Sequence, residues 1–416
     1  MKILLTVVGT RGDVEPFLAI GALLAARGHE VVVILPEQFC ILATEAGLKS
    51  ISLGPEFIDF LNSKDGRLAM GGSGGRFAKI FALVRLAFKS GPINNQLVER
   101  QQRIINREQP DRILYHGKAI YPVLWSINHP GRAKLLISVP DMHPVPGRSH
   151  IGFHTNLGPW LNSVSYRLAN WGLFQAVWRS IRHLGLRQNY TKREVKKELF
   201  NAETAYAVSP TLFPRPAEWP ANLRVLGYHQ RKQPEAFKPP PELEAFLAKH
   251  ARVMVVTFGS MLNPNPTVTT QLMLEATARL EIPTIFIEGA GGLLTPKDYD
   301  RDRCLFLKRV PYSWLFPRVY AVVHHGGSGT THLSTSAGCA TLIIPHLIDQ
   351  FVWNRINAKL GKGPLGVSMG KLSLSRLAPK LEAVWREDRY RLKAQELAIK
   401  MRAEDFEEAL VEFVMG

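Results

Sequence analysis

The sequence predicts an α/β chain built from two doubly wound parallel sheets. Three observations carry that prediction. Apolar, β-branched runs alternate with helical patterns from the first residue, the alternation restarts past a Pro- and charge-rich passage, and a glycine-rich turn joins a late strand to a helix. At 416 residues the chain exceeds one ordinary core, so two domains of about 200 residues are expected.

The first half opens with "KILLTVV" as a strand, "VEPFLAIGALLAARG" as a helix, "EVVVILP" as a strand, "QFCILATEAG" as a helix and "KSISLG" as a strand. Arg27, Gly28 and His29 close the first helix at a glycine, which makes His29 a helix C-terminal residue. Between about 63 and 190 the alternation breaks. Gly71 to Gly75 read as a flexible loop. After it, "RFAKIFALVRLAFKSG" gathers Phe77, Ile80, Phe81, Val84, Ala87 and Phe88 on one helical face, with Arg76, Lys79, Arg85 and Lys89 elsewhere. "WLNSVSYRLANWGLFQAVWRSIRHLGLR" repeats the theme through Trp171, Phe174, Trp178 and Ile181. Both read as core-facing helices, with an apolar acceptor pocket or a basic membrane-facing patch as alternatives.

The second half restarts after "GYHQRKQPEAFKPPPELEAFLAKH". "RVMVVTFGSM", "TIFIEGAG", "RCLFLKRV", "VYAVVHH" and "ATLIIP" are its five strands, with helical stretches between most of them. The expected division is 1–230 for an N-terminal domain, 231–248 for a linker and 249–416 for a C-terminal domain, the last helix being free to pack back on the first domain. Two Rossmann-like domains of this kind are expected to face each other across a cleft that holds the site.

Composition excludes several classes. Cys40, Cys304 and Cys339 are scattered and odd in number, against a disulfide framework or zinc ribbon and in favour of a reducing compartment. Arg11, Asp13 and Glu15 follow the first apolar run too soon for a signal peptide, and no uncharged run reaches the length of a membrane span. The net charge of +17 is uneven: 28 Lys and Arg against 16 Asp and Glu in 1–230 leave +12, and 24 against 19 in 231–416 leave +5. No zinc-finger spacing, aromatic RNA-binding motif or basic block accompanies that excess, so nucleic acid is not the expected partner. An anionic membrane surface or a phosphorylated substrate is.

The run "HHGGSGTTHLSTSAG", His324 to Gly338, passes from strand to helix through Gly326, Gly327, Ser328 and Gly329. Such a turn lets backbone N–H groups approach an anion, and the helix N-terminus adds partial positive charge, so a phosphate or diphosphate belongs there. The spacing is neither a dinucleotide fingerprint nor a P-loop. Adjacent His324 and His325 at a strand end point to opposite faces, which disfavours zinc.

Together with "IIPHLIDQ", "GTRGDVEPFLAIGALLAARGHEV", "FGSM", "VPYSWLFPRV" and "SPTLFPRPAEWP", this run resembles the family 1 glycosyltransferases of GT-B fold. The closest-looking branch is sterol glucosyltransferase-like, alongside bacterial UDP-glycosyltransferases that modify antibiotic aglycones. The resemblance implies that 1–230 binds the acceptor and 249–416 the nucleotide sugar, and that His325 contacts a donor diphosphate, with Gly327, Ser328, Gly329 and Thr330 around it, Ser260 reaching the phosphates from the other side and Gly12 also on the donor. It places Val310 at the nucleotide base through its backbone and Arg309 where plant members stack a Trp. Asp349 and Gln350 match the pair that hydrogen-bonds the transferred sugar. The Glu that plant members use for the ribose is here Leu333.

Sugar transfer needs a base for the acceptor hydroxyl and stabilisation of the departing diphosphate. Asp13, just after the first strand in "GTRGDV", is the base that the resemblance implies; a carboxylate there is also an ordinary helix cap. A carboxylate can accept the hydroxyl proton, especially if burial raises its pKa toward neutrality. Asp141 and His143, in "SVPDMHPVPGRSHIGFH", are acceptor-site candidates or structural loop residues, and His116 is open between acceptor contact and packing. The expected activity is an inverting, metal-independent transfer of a hexose, glucose from UDP-glucose first, to a sterol or terpenoid hydroxyl, with no cofactor beyond the nucleotide sugar. A polyketide, glycopeptide or flavonoid-type aglycone is the alternative acceptor, and a nucleotide-sugar epimerase or a non-catalytic nucleotide-sugar or lipid-binding protein the alternative roles. The expected location is cytoplasmic, peripheral at the inner face of a membrane.

Overall fold

The computed structural model describes residues 1–63, 76–153, 156–231, 237–261, 263 and 265–416, and for 76–90 the backbone alone. The loop expected at Gly71 to Gly75, the side chains of Phe77 to Phe88 and part of the expected linker therefore lie outside the described residues. The chain divides into two compact units. One takes in Met1–Gly66, Phe81–Pro234 and Asp405–Gly416, and the other is built on Glu235–Glu404.

In the first unit β1 (Lys2–Thr6), α1 (Arg11–Ala26), β2 (Glu30–Leu35), α2 (Cys40–Glu45), β3 (Lys49–Ser52) and α3 (Glu56–Asn62) follow one another. Then come α4 (Arg76–Glu108), β4 (Arg112–His116), α5 (Tyr121–Asn128) and β5 (Ala133–Ile137). Next are α6 (Pro159–His183), α7 (Lys192–Asn201), β6 (Thr204–Tyr206) and β7 (Leu223–Val225). The strands pair in parallel in the order β3-β2-β1-β4-β5-β6-β7. Both faces of the central strands are covered, so β1 and β2 are apolar over most of their length and successive residues sort to opposite sides. Leu5, Val31, Val33 and Leu35 pack with α1, whereas Leu4, Val32, Ile34, Ile113 and Tyr115 pack with Leu97, Val98, Phe174, Val177 and Ile181 of the long helices.

The second unit holds α8 (Pro241–Lys249), β8 (Met254–Thr257), α9 (Pro266–Arg279), β9 (Thr284–Ile287), β10 (Cys304–Leu307) and α10 (Tyr312–Leu315). β11 (Ala321–His324), α11 (Ser328–Ser336), β12 (Ala340–Ile343), α12 (Ile348–Lys359), α13 (Leu374–Arg386) and α14 (Asp388–Arg402) complete it. Its parallel sheet runs β10-β9-β8-β11-β12. The last helix, α15 (Glu407–Met415), belongs to the first unit, where Leu410, Phe413 and Val414 join the core beside α1 and Arg112 donates to the Met415 carbonyl at 3.0 Å.

Each sheet reverses its strand order once. In the first, β2 lies on one side of β1 and β4 on the other; in the second, β9 and β11 flank β8 in the same way. Loops leaving the two strands at such a switch point diverge to opposite faces and open a crevice at the carboxyl edge. β1 with β4 and β8 with β11 are therefore where each unit offers a site.

The second aromatic helix faces the core only in part. Phe174 and Ile181 of α6 are in the core as a core-facing helix requires, but Trp171 is 64% exposed. Cys40, Cys304 and Cys339 are unpaired. Among the described residues no helix is long and apolar enough to cross a membrane.

Candidate active site

At the switch point of the first sheet, Asp13 leaves β1 and His116 ends β4. Thr10 is the N-cap of α1, and Asp13, three residues on, turns its carboxylate back to accept from the Thr10 amide at 2.8 Å. Asp13 is thus the reciprocal member of a capping box. Gly9 makes room for this turn-back, since a Cβ there would lie 2.1 Å from Asp13 Oδ2. The other carboxylate oxygen faces His116 Nε2 at 3.4 Å, and Lys118 Nζ is 3.4 Å from Oδ2.

The charge balance corrects one expectation. Burial alone would push the Asp13 carboxyl up, but Lys118, His116 and the Thr10 amide together outweigh it and hold the group well below the usual carboxylate range. Asp13 is a carboxylate held in its charged form. His116 Nδ1 is buried without a partner among the described residues, so this nitrogen faces the fold and not an acceptor.

Asp141 and His143 are taken up by their own loop. Asp141, fully buried with φ at +58°, accepts from Arg148 at 3.0 Å. The His143 ring shares a hydrogen bond of 2.7 Å with the Tyr206 hydroxyl and stands edge-on to Trp219. Burial, with help from His150, pushes the His143 pKa down to about 4, so the ring is neutral. These pairs shape the 138–151 segment. His29 follows the C-terminal turn of α1, where Gly28 takes φ at +83°.

At the switch point of the second sheet the chain leaves β11 through Gly326, with φ at +91°, and starts α11 with Gly327 as its N-cap. No side chain caps this helix, which leaves the first-turn amides of Ser328, Gly329 and Thr330 as donors at its positive end. His325 is 6% exposed and its Nδ1 has no partner among the described residues. Burial, then the nearby His346, pushes its pKa down to about 3, so the ring is neutral. Gly327 is required here, because a Cβ would lie 2.4 Å from His325 Nε2. His324 turns the other way: its Nδ1 accepts from the Gly326 amide at 2.9 Å and the two histidine rings are 81° apart.

Ser260 is exposed on the turn after β8, the strand paired with β11. Arg309 is exposed after β10, while the Val310 side chain is in the core, leaving only its backbone for a ligand. Asp349 lies in the first turn of α12 and is half-buried. Gln350 is more committed than its place in the motif suggests. Its Oε1 accepts from the amides of His346 and Leu347 at 2.8 and 3.0 Å, and its amide nitrogen faces Met261 Sδ at 3.4 Å. It holds the loop that carries Asp349.

Three residues escaped the sequence reading. Lys118 comes to Asp13 from 105 positions away, with only the strand pairing to signal it. His346 is 8% exposed, with Nδ1 on the Ile344 carbonyl and Nε2 without a partner among the described residues. Lys362 is fully buried below α11, donating to Thr335 Oγ1, and burial pushes its pKa down to about 7.

Comparison with known proteins agrees with this frame. The model of the glycosyltransferase family 28 N-terminal domain matches residues 3–99, and that of the C-terminal domain of erythromycin biosynthesis protein CIII-like proteins matches 302–414. A sterol 3-beta-glucosyltransferase of Arabidopsis thaliana is 30% identical over 428 residues, which cover 97% of this chain and 64% of the relative. The chain thus spans less than two thirds of that relative's length. The O-mycaminosyltylonolide 6-deoxyallosyltransferase of Streptomyces fradiae is 27% identical, over 97% of this chain and 94% of its own. Among solved structures, the glycosyltransferase of kitacinnamycin superposes with a TM-score of 0.69 at 15% identity, covering 100% of this chain and 98% of that one. The two parallel sheets with their switch points, and a superposition that covers the whole chain, show that this chain has the GT-B fold, with a family 28 glycosyltransferase domain model matched at its start.

Proposed function

We propose that the chain transfers a hexose, glucose first, from a nucleoside diphosphate sugar such as UDP-glucose to a hydroxyl of a hydrophobic acceptor, a sterol or other terpenoid lipid, inverting the anomeric carbon. The observation that carries this reading is the uncapped start of α11 with the buried, neutral His325 beside it. That turn offers backbone donors and one imidazole to a dianion, which is what a departing nucleoside diphosphate requires.

In the reaction the acceptor oxygen forms a bond to the anomeric carbon as the bond to the diphosphate oxygen breaks. The hydroxyl proton passes to Asp13, and the diphosphate leaves with the electron pair onto the α11 turn. Asp13 is a weak base because Lys118 and His116 stabilise its charge. A weak base suffices here: the acceptor hydroxyl becomes strongly acidic as its oxygen bonds to an oxocarbenium-like carbon. His116 then orients the carboxylate.

The acceptor class rests on the sterol relative, and a second reading rests on the Streptomyces fradiae relative, which this chain spans almost entirely. That reading takes a polyketide, glycopeptide or flavonoid-type aglycone. The test is a screen of UDP-glucose and TDP-glucose against sterols, triterpenoids, macrolides and flavonoids, with Asp13→Asn as control. A glucosylated sterol formed by the wild type and not by the variant is the expected result. Transfer confined to macrolides or flavonoids replaces the acceptor class, and nucleotide release that needs no acceptor overturns transfer altogether.

A further inference from the structure

We propose that the outer face of α6, with the basic flank of α7 beside it, is a docking surface for an anionic lipid bilayer. It deepens the lipid-acceptor reading by naming the surface through which the protein would reach a lipid.

In the first turns of α6 the buried side carries Asn162 and Ser165 beside Tyr166, while Trp160, Leu161, Leu168 and Trp171 stand 73%, 45%, 52% and 64% exposed. At 100° per residue these four fall within one arc of about 100°, so they form a single apolar stripe on the helix and not scattered exceptions. Two tryptophans with most of their surface in water are costly for a soluble face and suit the lipid–water boundary, where an amphipathic ring is buried at headgroup depth.

Charge supplies the second half of the argument. Arg167 flanks the stripe, and Lys192, Arg193, Lys196 and Lys197 are all exposed on α7. Arg167 and Trp171 line one concavity of about 470 Å³ with Lys192, Lys196 and Phe200. The acidic groups of α7 offset this only in part. Glu194, bound into the cap of its own helix through Thr191, keeps its charge, and with Glu198 it leaves four bases against two acids. At the far end of α6, Glu99 is paired with His183 at 2.6 Å. Exposed tryptophans beside an unbalanced basic strip are the pattern of an interfacial helix on anionic lipid, and a purely apolar partner would gain nothing from the lysines.

The experiment is co-sedimentation of the full chain with vesicles of phosphatidylcholine alone and of phosphatidylcholine with phosphatidylserine, without donor or acceptor. The wild type should sediment with the anionic vesicles and be released by salt. Trp160→Ser with Trp171→Ser should abolish binding, and Lys192→Glu or Lys196→Glu should each weaken it by roughly fivefold or more, with melting temperatures unchanged because all four side chains are largely exposed. Equal sedimentation with both vesicle types, or binding untouched by either pair, overturns the proposal. So does a concentration-dependent dimer, seen by sedimentation velocity without lipid and lost in the tryptophan variant, which assigns the stripe to a second copy. Vesicle binding is read without glycosyl transfer, so an inactive chain that still binds vesicles discredits the transfer reading alone.

Discussion

His116 Nε2 lies 3.4 Å from Asp13 Oδ1, joining the ends of two strands that neighbour each other only because the sheet order reverses between them. With Lys118 on the other oxygen, Asp13 is surrounded by groups that favour its charge. The sign follows directly. A carboxyl whose folded pKa is depressed adds stability above its unfolded value near 3.8 and loses it as pH falls through the folded one. The rate should therefore show no acid limb from Asp13 between about pH 5 and 8. Lys118→Met removes one of the charges that hold the pKa down, so any acid limb should move to higher pH while the fold is kept. A pH–rate profile of the two proteins decides, and identical profiles would mean that Asp13 does not limit transfer.

Gly9→Ala and Gly327→Ala separate the two ends of the proposed reaction. A methyl at Gly9 meets Asp13 Oδ2 at 2.1 Å and must displace the carboxylate, whereas one at Gly327 meets His325 Nε2 at 2.4 Å. Gly9→Ala should lower turnover by about 100-fold, the usual worth of a positioned base, and leave nucleotide affinity intact. Gly327→Ala should weaken UDP or TDP binding by calorimetry. The opposite assignment of the two losses would reverse the roles given to the two turns.

His325→Ala tests the neutral imidazole itself. Removing one donor to a charged oxygen costs about 1.5–3 kcal/mol, or roughly 10- to 100-fold in affinity. Because the free ring is already neutral, with a pKa near 3, wild-type affinity should change little from about pH 6 to 8 on this account. A loss of nucleotide affinity toward high pH that disappears in His325→Ala would show instead that the ring binds as imidazolium.

These contrasts also show what a sequence can and cannot announce. The strands were legible because a buried parallel strand is apolar along its whole length, whereas Asp13 and His325, each after such a run at a strand-to-helix turn, were singled out through the family resemblance. The partners of Asp13 were not, since Lys118 arrives from 105 positions away through strand order. The direction of the Asp13 shift was missed for the same reason: burial can be guessed from a motif, but compensating charges cannot. Gln350, which the resemblance assigns to the transferred sugar, spends its carbonyl on two amides of its own loop. Periodicity found the faces of α6, but not which face the rest of the fold would cover, and Trp171 was left outside.

Lys362 gives the last prediction. Its ammonium is fully buried, donates to Thr335 Oγ1 and has beside it His324 and His332, both held neutral by burial, and the Cys339 thiol, pushed up to about 11. No anion balances it among these neighbours, so its pKa falls to about 7 from 10.5. Between those two values the unfolded chain binds more protons than the folded one, and stability should rise with pH across that window. Lys362→Met should remove this slope and gain roughly 1–4 kcal/mol near neutral pH, because replacing an unpaired buried charge with an apolar chain of similar length spares its desolvation. Thr335 keeps a bond to the Thr331 carbonyl at 2.7 Å, so the change strands no hydroxyl. Urea unfolding of both proteins at three pH values reads the effect. A destabilised variant with an unchanged slope would mean that the ammonium is balanced by a group outside this cluster. If the variant is more stable but binds UDP less well, the charge beneath α11 serves the anion turn, and the stability it forfeits is the cost of that service.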